Sequence, residues 1–379
     1  MLGFEYSEEQ LALQKMARQF AEKEIKPVAA HYDETEEFPW DIVRKAHETG
    51  LMNLEIPEEY GGQGLDHVSA CLVAEELAAG CAGISNAISA NSLATLPILI
   101  AGTPEQKEKF LKPLCAEPKL AAFGLTEPQA GSDVASLRTT ARREGDYYVL
   151  NGSKCFITNG GVASLYTIFA TLDRSLKTRG ICAFIVPRDT PGLSIGKREL
   201  KMGIRSSNVA EVILEDVRIP KENLLGQEGQ GFKIAMMTLD VSRPGVGAAA
   251  VGIARAALEY AIDYAKQRET FGKPLAANQA IQFMLADMAT SVDTARLLVQ
   301  RAAWMLDDGQ YPTKEGAMAK MYAGDVAMKV TTDAVQIFGG YGFMREYPVE
   351  KLMRDAKIYQ IFEGTNQIQR MVISREILR

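Results

Sequence analysis

One carboxylate stands out by its neighbours. Glu363 ends the run Lys357-Ile-Tyr-Gln-Ile-Phe-Glu363-Gly364, so an apolar stretch precedes it and a glycine follows. A carboxylate in that setting suits a poorly solvated pocket beside backbone that a ligand can approach closely. Burial raises its pKa toward neutrality, which is what a general base acting on a weak carbon acid needs. The same pair also reads as a helix-end glutamate with a glycine stop. Two segments further up the chain have the composition of a cofactor site. Phe123-Gly-Leu-Thr-Glu-Pro-Gln-Ala-Gly-Ser-Asp133 offers a glycine, hydroxyls and amides to a diphosphate, or is a plain turn. Cys155-Phe-Ile-Thr-Asn-Gly160 sets a ring two positions from a hydroxyl, so an extended strand turns both to one side. There the ring can cover a flat cofactor while the hydroxyl donates to it; packing of the ring into a core is the alternative.

Other chemistries are disfavoured by what the chain contains. The three histidines, His31, His47 and His67, lie early in the sequence, away from these segments, and suggest neither a zinc site nor a histidine triad. The five cysteines are scattered and odd in number, without metal-ligand spacing, and read as reduced and mostly buried. No metal site is expected. A net charge of −6 with acidic and basic residues mixed argues against a nucleic-acid partner. With 47% hydrophobic and 24% charged residues, the chain has the balance of a soluble globular protein. Glu5, Glu8 and Glu9 interrupt any apolar leader, so a cytoplasmic protein or a matured organelle form is expected.

The elements that must position Glu363 and the two loops divide the chain into α, β and α parts. Residues 1–120 read as helical. Ser7-Glu-Glu-Gln10 fits a capping box, Leu13, Met16, Ala17 and Phe20 then recur on one face, and Pro27 is expected to end that helix. Pro39 and Pro104 stand where first-turn prolines belong. Tyr60-Gly-Gly-Gln-Gly64 reads as a turn. Residues 121–230 carry short β-branched and aromatic runs separated by Asn151-Gly152, Asn159-Gly-Gly161 and Pro191-Gly192, which predicts a small β-barrel or sandwich domain. Nothing in them matches the glycine-rich strand-to-helix signature of a doubly wound nucleotide fold. From 231 to 379 helical periodicity returns, as a C-terminal four-helix bundle; the small-residue stretch between Arg243 and Arg255 is too short to span a bilayer. The fold class is therefore α+β.

The segment Arg354-Asp-Ala-Lys-Ile-Tyr-Gln-Ile-Phe-Glu-Gly-Thr-Asn-Gln-Ile-Gln-Arg370 resembles the catalytic segment of the acyl-CoA dehydrogenases, which use a tightly bound FAD. The two loops resemble the flavin signatures of that family in order and approximate spacing, and the likeness extends over essentially the whole chain. It implies that Glu363 takes the proton from the carbon next to a thioester carbonyl while the adjacent carbon gives a hydride to the flavin. Phe123, Leu125 and Thr126 would then lie at the flavin, and Gly131 and Ser132 at the diphosphate region and the thioester ligand. Phe156, where many members have Trp, would cover the ring system, with Ile157 beside it and Thr158 near N5. Gln267-Arg-Glu-Thr-Phe-Gly272 and Asn278-Gln279 resemble the stretch that reaches the FAD of a neighbouring subunit, through Arg268, Phe271 and Gln279. Gln336-Ile-Phe-Gly339-Gly340 resembles the segment along the adenine-ribose part, and Thr365, Asn366 and Gln367 complete the cofactor set. Outside that resemblance, Arg268 reads as a solvated helix residue and the double glycine as a helix stop.

Asp240 and Arg243 resemble the residues that contact CoA and the catalytic glutamate, with Gly364 beside the substrate. Members that carry their base next to this arginine would have it at 242, which here is serine and cannot serve. The resemblance also implies a homotetramer, built as a dimer of dimers, that passes electrons to electron-transferring flavoprotein. Short- to medium-chain straight acyl-CoAs are expected as substrates. The other readings are a branched or alicyclic acyl-CoA, an acyl-CoA oxidase, or a flavin-binding paralogue without turnover.

Overall fold

The computed structural model describes residues 5–379. Six helices come first: α1 (Glu8–Phe20), α2 (Ala29–Thr35), α3 (Trp40–Glu48), α4 (His67–Gly80), α5 (Ala82–Ala101) and α6 (Pro104–Ala116). Ser7 and Thr103 both form full capping boxes, and Pro104 opens α6 at its first position. Pro39, by contrast, is the cap residue before α3 rather than inside its first turn. Pro27 does not end the first helix either. The chain winds on through a π turn (Ala21–Ile25) and a 3₁₀ turn (Lys26–Val28) into α2, because tighter and wider turns absorb the hydrogen bond that proline removes.

Eight strands follow: β1 (Ala121–Gly124), β2 (Thr140–Glu144), β3 (Tyr147–Thr158), β4 (Leu165–Thr171), β5 (Ile181–Pro187), β6 (Leu193–Arg198), β7 (Val209–Pro220) and β8 (Leu224–Leu225). They form one sheet in the order β6-β7-β3-β2-β4-β5-β8, mostly antiparallel, with β1 running parallel along β4. One face packs Tyr148, Leu150, Tyr166, Phe184 and Val212 into its own core, and the other lies against α5, α6 and the start of the next helix through Phe169, Ala183 and Ile185.

The last part is helical: α7 (Gly231–Gln267), α8 (Gln279–Asp307), α9 (Thr313–Phe338), α10 (Pro348–Ala356) and α11 (Asn366–Ile377). α7, α8 and α9 are long packed neighbours, with α7 and α9 running the same way (Asp240 beside Gly316, Tyr264 on Phe338), and α10 and α11 pack on α9. At 37 residues α7 is about 55 Å long. Its alanines and glycines let α4 and α9 approach closely; a side chain at Gly252 would meet the Glu75 carbonyl oxygen at 2.1 Å. Helices α5 and α7 are long and apolar enough to cross a membrane, but 56% and 61% of their most apolar windows are buried inside the fold, where they pack on each other.

Candidate active site

Glu363 sits in the short loop between the 3₁₀ turn Lys357–Gln360 and α11. It takes a left-handed backbone (φ 53°), followed at once by Gly364 (φ 90°). Two such residues in succession turn the chain sharply and aim the carboxylate back at α7, where the Ser242 hydroxyl donates to its Oε2 at 2.6 Å. The side chain keeps some solvent access, yet it lies deep enough among protein groups for desolvation to dominate. Burial pushes the Glu363 carboxyl above the ordinary carboxylate range; the Ser242 hydrogen bond and the Lys320 and Arg243 charges pull the other way. Among the described residues, its main-chain N–H has no acceptor within the chain.

The loop is tied to α9 and α11 by side chains that sequence reasoning passed over. Lys320, 1% exposed, donates to the Gly364 carbonyl at 2.9 Å and to Asn366 Oδ1 at 3.1 Å. Gln369 Nε2 donates to the carbonyls of Glu363 and Gly364 at 3.2 and 2.9 Å. Asp325 gathers Gln360, Asn366 and Arg370. A signal for Lys320 was present: it shares the apolar stripe of Gly316, Ala317, Ala323, Gly324 and Ala327, where a charge needs a reason. Arg243 is 4% exposed, pairs with Asp240 at 2.5 Å, and leaves its Nε without a partner. Thr313 donates to the other Asp240 oxygen.

In the middle of the chain, the loop after β1 is built on a buried ion pair. Lys154 reaches Glu127 at 2.6 Å and the Leu125 carbonyl at 3.2 Å. Glu127 also accepts the backbone N–H groups of Arg138 and Thr139. Burial alone would raise the Glu127 carboxyl, but the Lys154 charge and these donors hold it below its ordinary value; burial draws Lys154 down to about 8. The two partners lie 27 residues apart, so no local pattern announces them. Phe156 is exposed and Thr158 half-buried with the buried Ile157 between them, and Phe156 takes a left-handed backbone (φ 58°) at a break in the β3–β7 register.

Three family models match the chain in order: the acyl-CoA dehydrogenase N-terminal domain over residues 7–118, its middle domain over 122–217 and its C-terminal domain over 229–378. The chain belongs to the acyl-CoA dehydrogenase family. It is 48% identical to the short-chain specific acyl-CoA dehydrogenase of Clostridium acetobutylicum over the whole of both chains. Its fold matches butyryl-CoA dehydrogenase from Megasphaera elsdenii at a TM-score of 0.97 and 48% identity, covering both chains fully. A chain in a structure described as the electron transferring flavoprotein of Acidaminococcus fermentans is matched at 0.98 and 50%, again over both chains.

Acyl-CoA dehydrogenases are FAD-dependent, and this acyl-CoA dehydrogenase fits the cofactor. The hydroxyls of Thr126, Ser132 and Thr158 have no side-chain partner among the described residues. Phe156 is 64% exposed and Phe271 wholly so, both from left-handed backbone, and a flat ligand laid on such rings removes that exposure. Beside Gly131, Gly339 and Gly340 the space is open. Arg268 and the 336–340 segment meet in one place: the guanidinium stands 5.7 Å above the Tyr341 ring, and Tyr264 stacks on Phe338. Gln279 and Gln336 are exposed there, on α8 and α9.

Several expected contacts take another form. Leu125 and Ile157 turn their side chains into the core, leaving only main-chain groups for a ligand. Phe123 is partly buried against Phe169. The Asn366 amide is consumed inward by Lys320, the Met321 carbonyl and Asp325, and Thr365 caps α11 through its hydroxyl, so of that trio only Gln367 presents an exposed side chain. Arg243 makes no hydrogen bond to Glu363 among the described residues; its one ion pair is with Asp240, because both sit on one helix face three residues apart. All five cysteines are free and buried, as composition suggested.

Proposed function

We propose that this acyl-CoA dehydrogenase desaturates short- to medium-chain straight acyl-CoAs between the α and β carbons, with Glu363 as the base, and passes its electrons to electron-transferring flavoprotein. The observation that carries the reading is the Glu363 carboxylate itself: desolvated, aimed by a left-handed turn, and bonded by Ser242. FAD, when bound, supplies the acceptor for the hydride that leaves the β carbon. Glu363 removes the α proton, a task for which a raised carboxyl is better matched than an ordinary one. Its unpartnered N–H is assigned to the thioester oxygen, where negative charge develops as the proton leaves. Thr126, Thr158, Phe156 and the Gly131-Ser132 turn hold the flavin, and Asp240 with Arg243 orders the wall behind the base.

The chain-length preference is supported by the names of the relatives above, and the acceptor by the electron transferring flavoprotein structure. A homotetramer is proposed on exposure: Arg268, Phe271 and Phe283 turn their side chains outward, as residues reaching a neighbour's cofactor would. Arg268→Ala is then expected to weaken FAD retention, measured by equilibrium dialysis against the intact tetramer; unchanged affinity removes that role.

Anaerobic mixing with a series from butyryl- to palmitoyl-CoA, followed by flavin absorbance, tests the reading. Bleaching is expected to be fastest with the short members. Glu363→Gln is expected to stay yellow and bind acyl-CoA while bleaching at least about 1,000-fold more slowly. Full-rate bleaching by that variant overturns the base, and rapid peroxide formation without an acceptor turns the reading to an oxidase.

A further inference from the structure

Glu363 and Gly364 occupy two consecutive left-handed positions, and a non-glycine residue is held there at a strain cost. Such a turn persists only where its surroundings over-determine it. Its carbonyls point into the protein, away from water, and each needs a donor. Gln369 serves both from α11. The second donor to Gly364 comes from a different element: Lys320, from the middle of α9, spends two of its three N–H bonds on the Gly364 carbonyl and on Asn366 Oδ1, the first residue of α11. One buried ammonium therefore ties the Gly364 carbonyl to the start of α11, immediately after Glu363.

We propose that Lys320 is a positioning residue for Glu363, fixing the turn that aims the carboxylate and setting the charge around it. The inference rests on the reading of Glu363 as the base. An uncharged side chain of similar length would fill the same space among Ala317, Ala323 and Gly324, so packing alone gives no reason for a lysine there. The charged groups facing Lys320 are Glu363 from the loop, Arg243 from α7 and Asp325 from its own helix. Burial pulls its ammonium down to about 8, against the carboxylates and with Arg243, so it is charged at neutral pH. A positive charge beside Glu363 favours the ionised carboxylate, which is the form that accepts the proton.

The test is stopped-flow reduction of the holoenzyme by butyryl-CoA across pH, in Lys320→Met, Lys320→Gln and Lys320→Arg. Met removes donor and charge, Gln keeps a donor, and Arg keeps both in altered geometry. For Met, the expected result is a loss of about 100-fold in the reduction rate with little change in acyl-CoA affinity. The acid limb of its pH profile moves up by about one unit, since the carboxylate has lost a cation. Gln recovers part of the rate but keeps the displaced limb, and Arg returns the limb toward the wild-type position. A merely structural lysine would lower FAD content or melting temperature and leave the limb where it was; an unmoved limb in Met, or in Gln if Met fails to retain FAD, overturns the proposal. If Glu363→Gln is inactive while Lys320→Met behaves as wild type, this inference alone falls. If Glu363→Gln reduces its flavin at full rate, the base assignment falls first.

Discussion

Ser242 Oγ lies 2.6 Å from Glu363 Oε2, joining residues 121 positions apart in the chain. The serine stands on α7, and its hydroxyl donates to the carboxylate proposed as the base. A neutral hydroxyl stabilises the ionised carboxylate without competing for the substrate's proton. That relation, together with the desolvation that opposes it, makes the titration of Glu363 the most exposed consequence of the structure.

Ser242→Ala removes the donor and leaves the carboxylate less stabilised. A hydrogen bond to a charged group contributes about 1.5–3 kcal/mol, so the carboxyl rises by roughly one to two pH units. The flavin-reduction rate is expected to fall most at the acidic end of its pH profile and least at the alkaline end. A pH-independent loss would show that Ser242 acts through packing and not through the base.

Stability carries the same signature with opposite sense. The Glu363 carboxyl is raised above its unfolded value, so the protonated form favours folding. That contribution is complete below the unfolded pKa of about 4.5 and is lost as pH rises through the folded one. Glu363→Gln mimics the neutral form, and its melting temperature is expected to match wild type near pH 4 and to exceed it increasingly toward pH 8. Melting curves that run parallel at all pH values would contradict the raised carboxyl.

The Glu127–Lys154 pair is almost wholly inside the protein, and breaking it leaves one charge without a partner. Lys154→Met is expected to cost about 3–5 kcal/mol in urea unfolding and to loosen the loop that carries Thr126 and Ser132, with weaker FAD retention. Adding Glu127→Gln removes the stranded charge and keeps one oxygen as an acceptor for either the Arg138 or the Thr139 amide, so the double variant recovers part of the loss. Strict additivity of the two changes would show that the pair is not coupled.

Gly324 offers a steric test of how α9 supports the site. Alanine in a helix interior is ordinarily about 1 kcal/mol better than glycine. Here a Cβ would stand 2.6 Å from the Tyr359 carbonyl oxygen, in the segment that leads to Glu363. Gly324→Ala is therefore expected to destabilise the protein by about 1–3 kcal/mol and to slow flavin reduction. A melting temperature at or above wild type would mean that the segment moves aside freely.

Much of this was present in the order of residues. The capping box at Ser7 and the first-turn proline at Pro104 placed two helix starts because both signals are local. The β-branched runs at 147–150, 166–170, 181–186 and 210–214 all lie in strands, since alternation against a core is a local property of the chain. The change from helix to sheet and back was likewise visible, and so was Glu363, whose apolar approach and glycine exit are neighbours in sequence. What local pattern misjudged was proline: the consequence of Pro27 depended on turns that could widen and tighten around it.

Contacts between distant segments were settled only by folding. Ser242, Lys320, Asp325 and Gln369 converge on the Glu363 loop from three helices, and nothing in their own neighbourhoods named that loop as the target. The buried Glu127–Lys154 pair, the inward turn of Asn366 and the left-handed backbone at Phe156 have the same origin. Sequence determines which groups are available and how each short segment prefers to run. Whether a carboxylate is desolvated, which donor reaches it and which charge faces it depend on distances across the fold, because electrostatic and hydrogen-bond energies are set by separation in space and not along the chain.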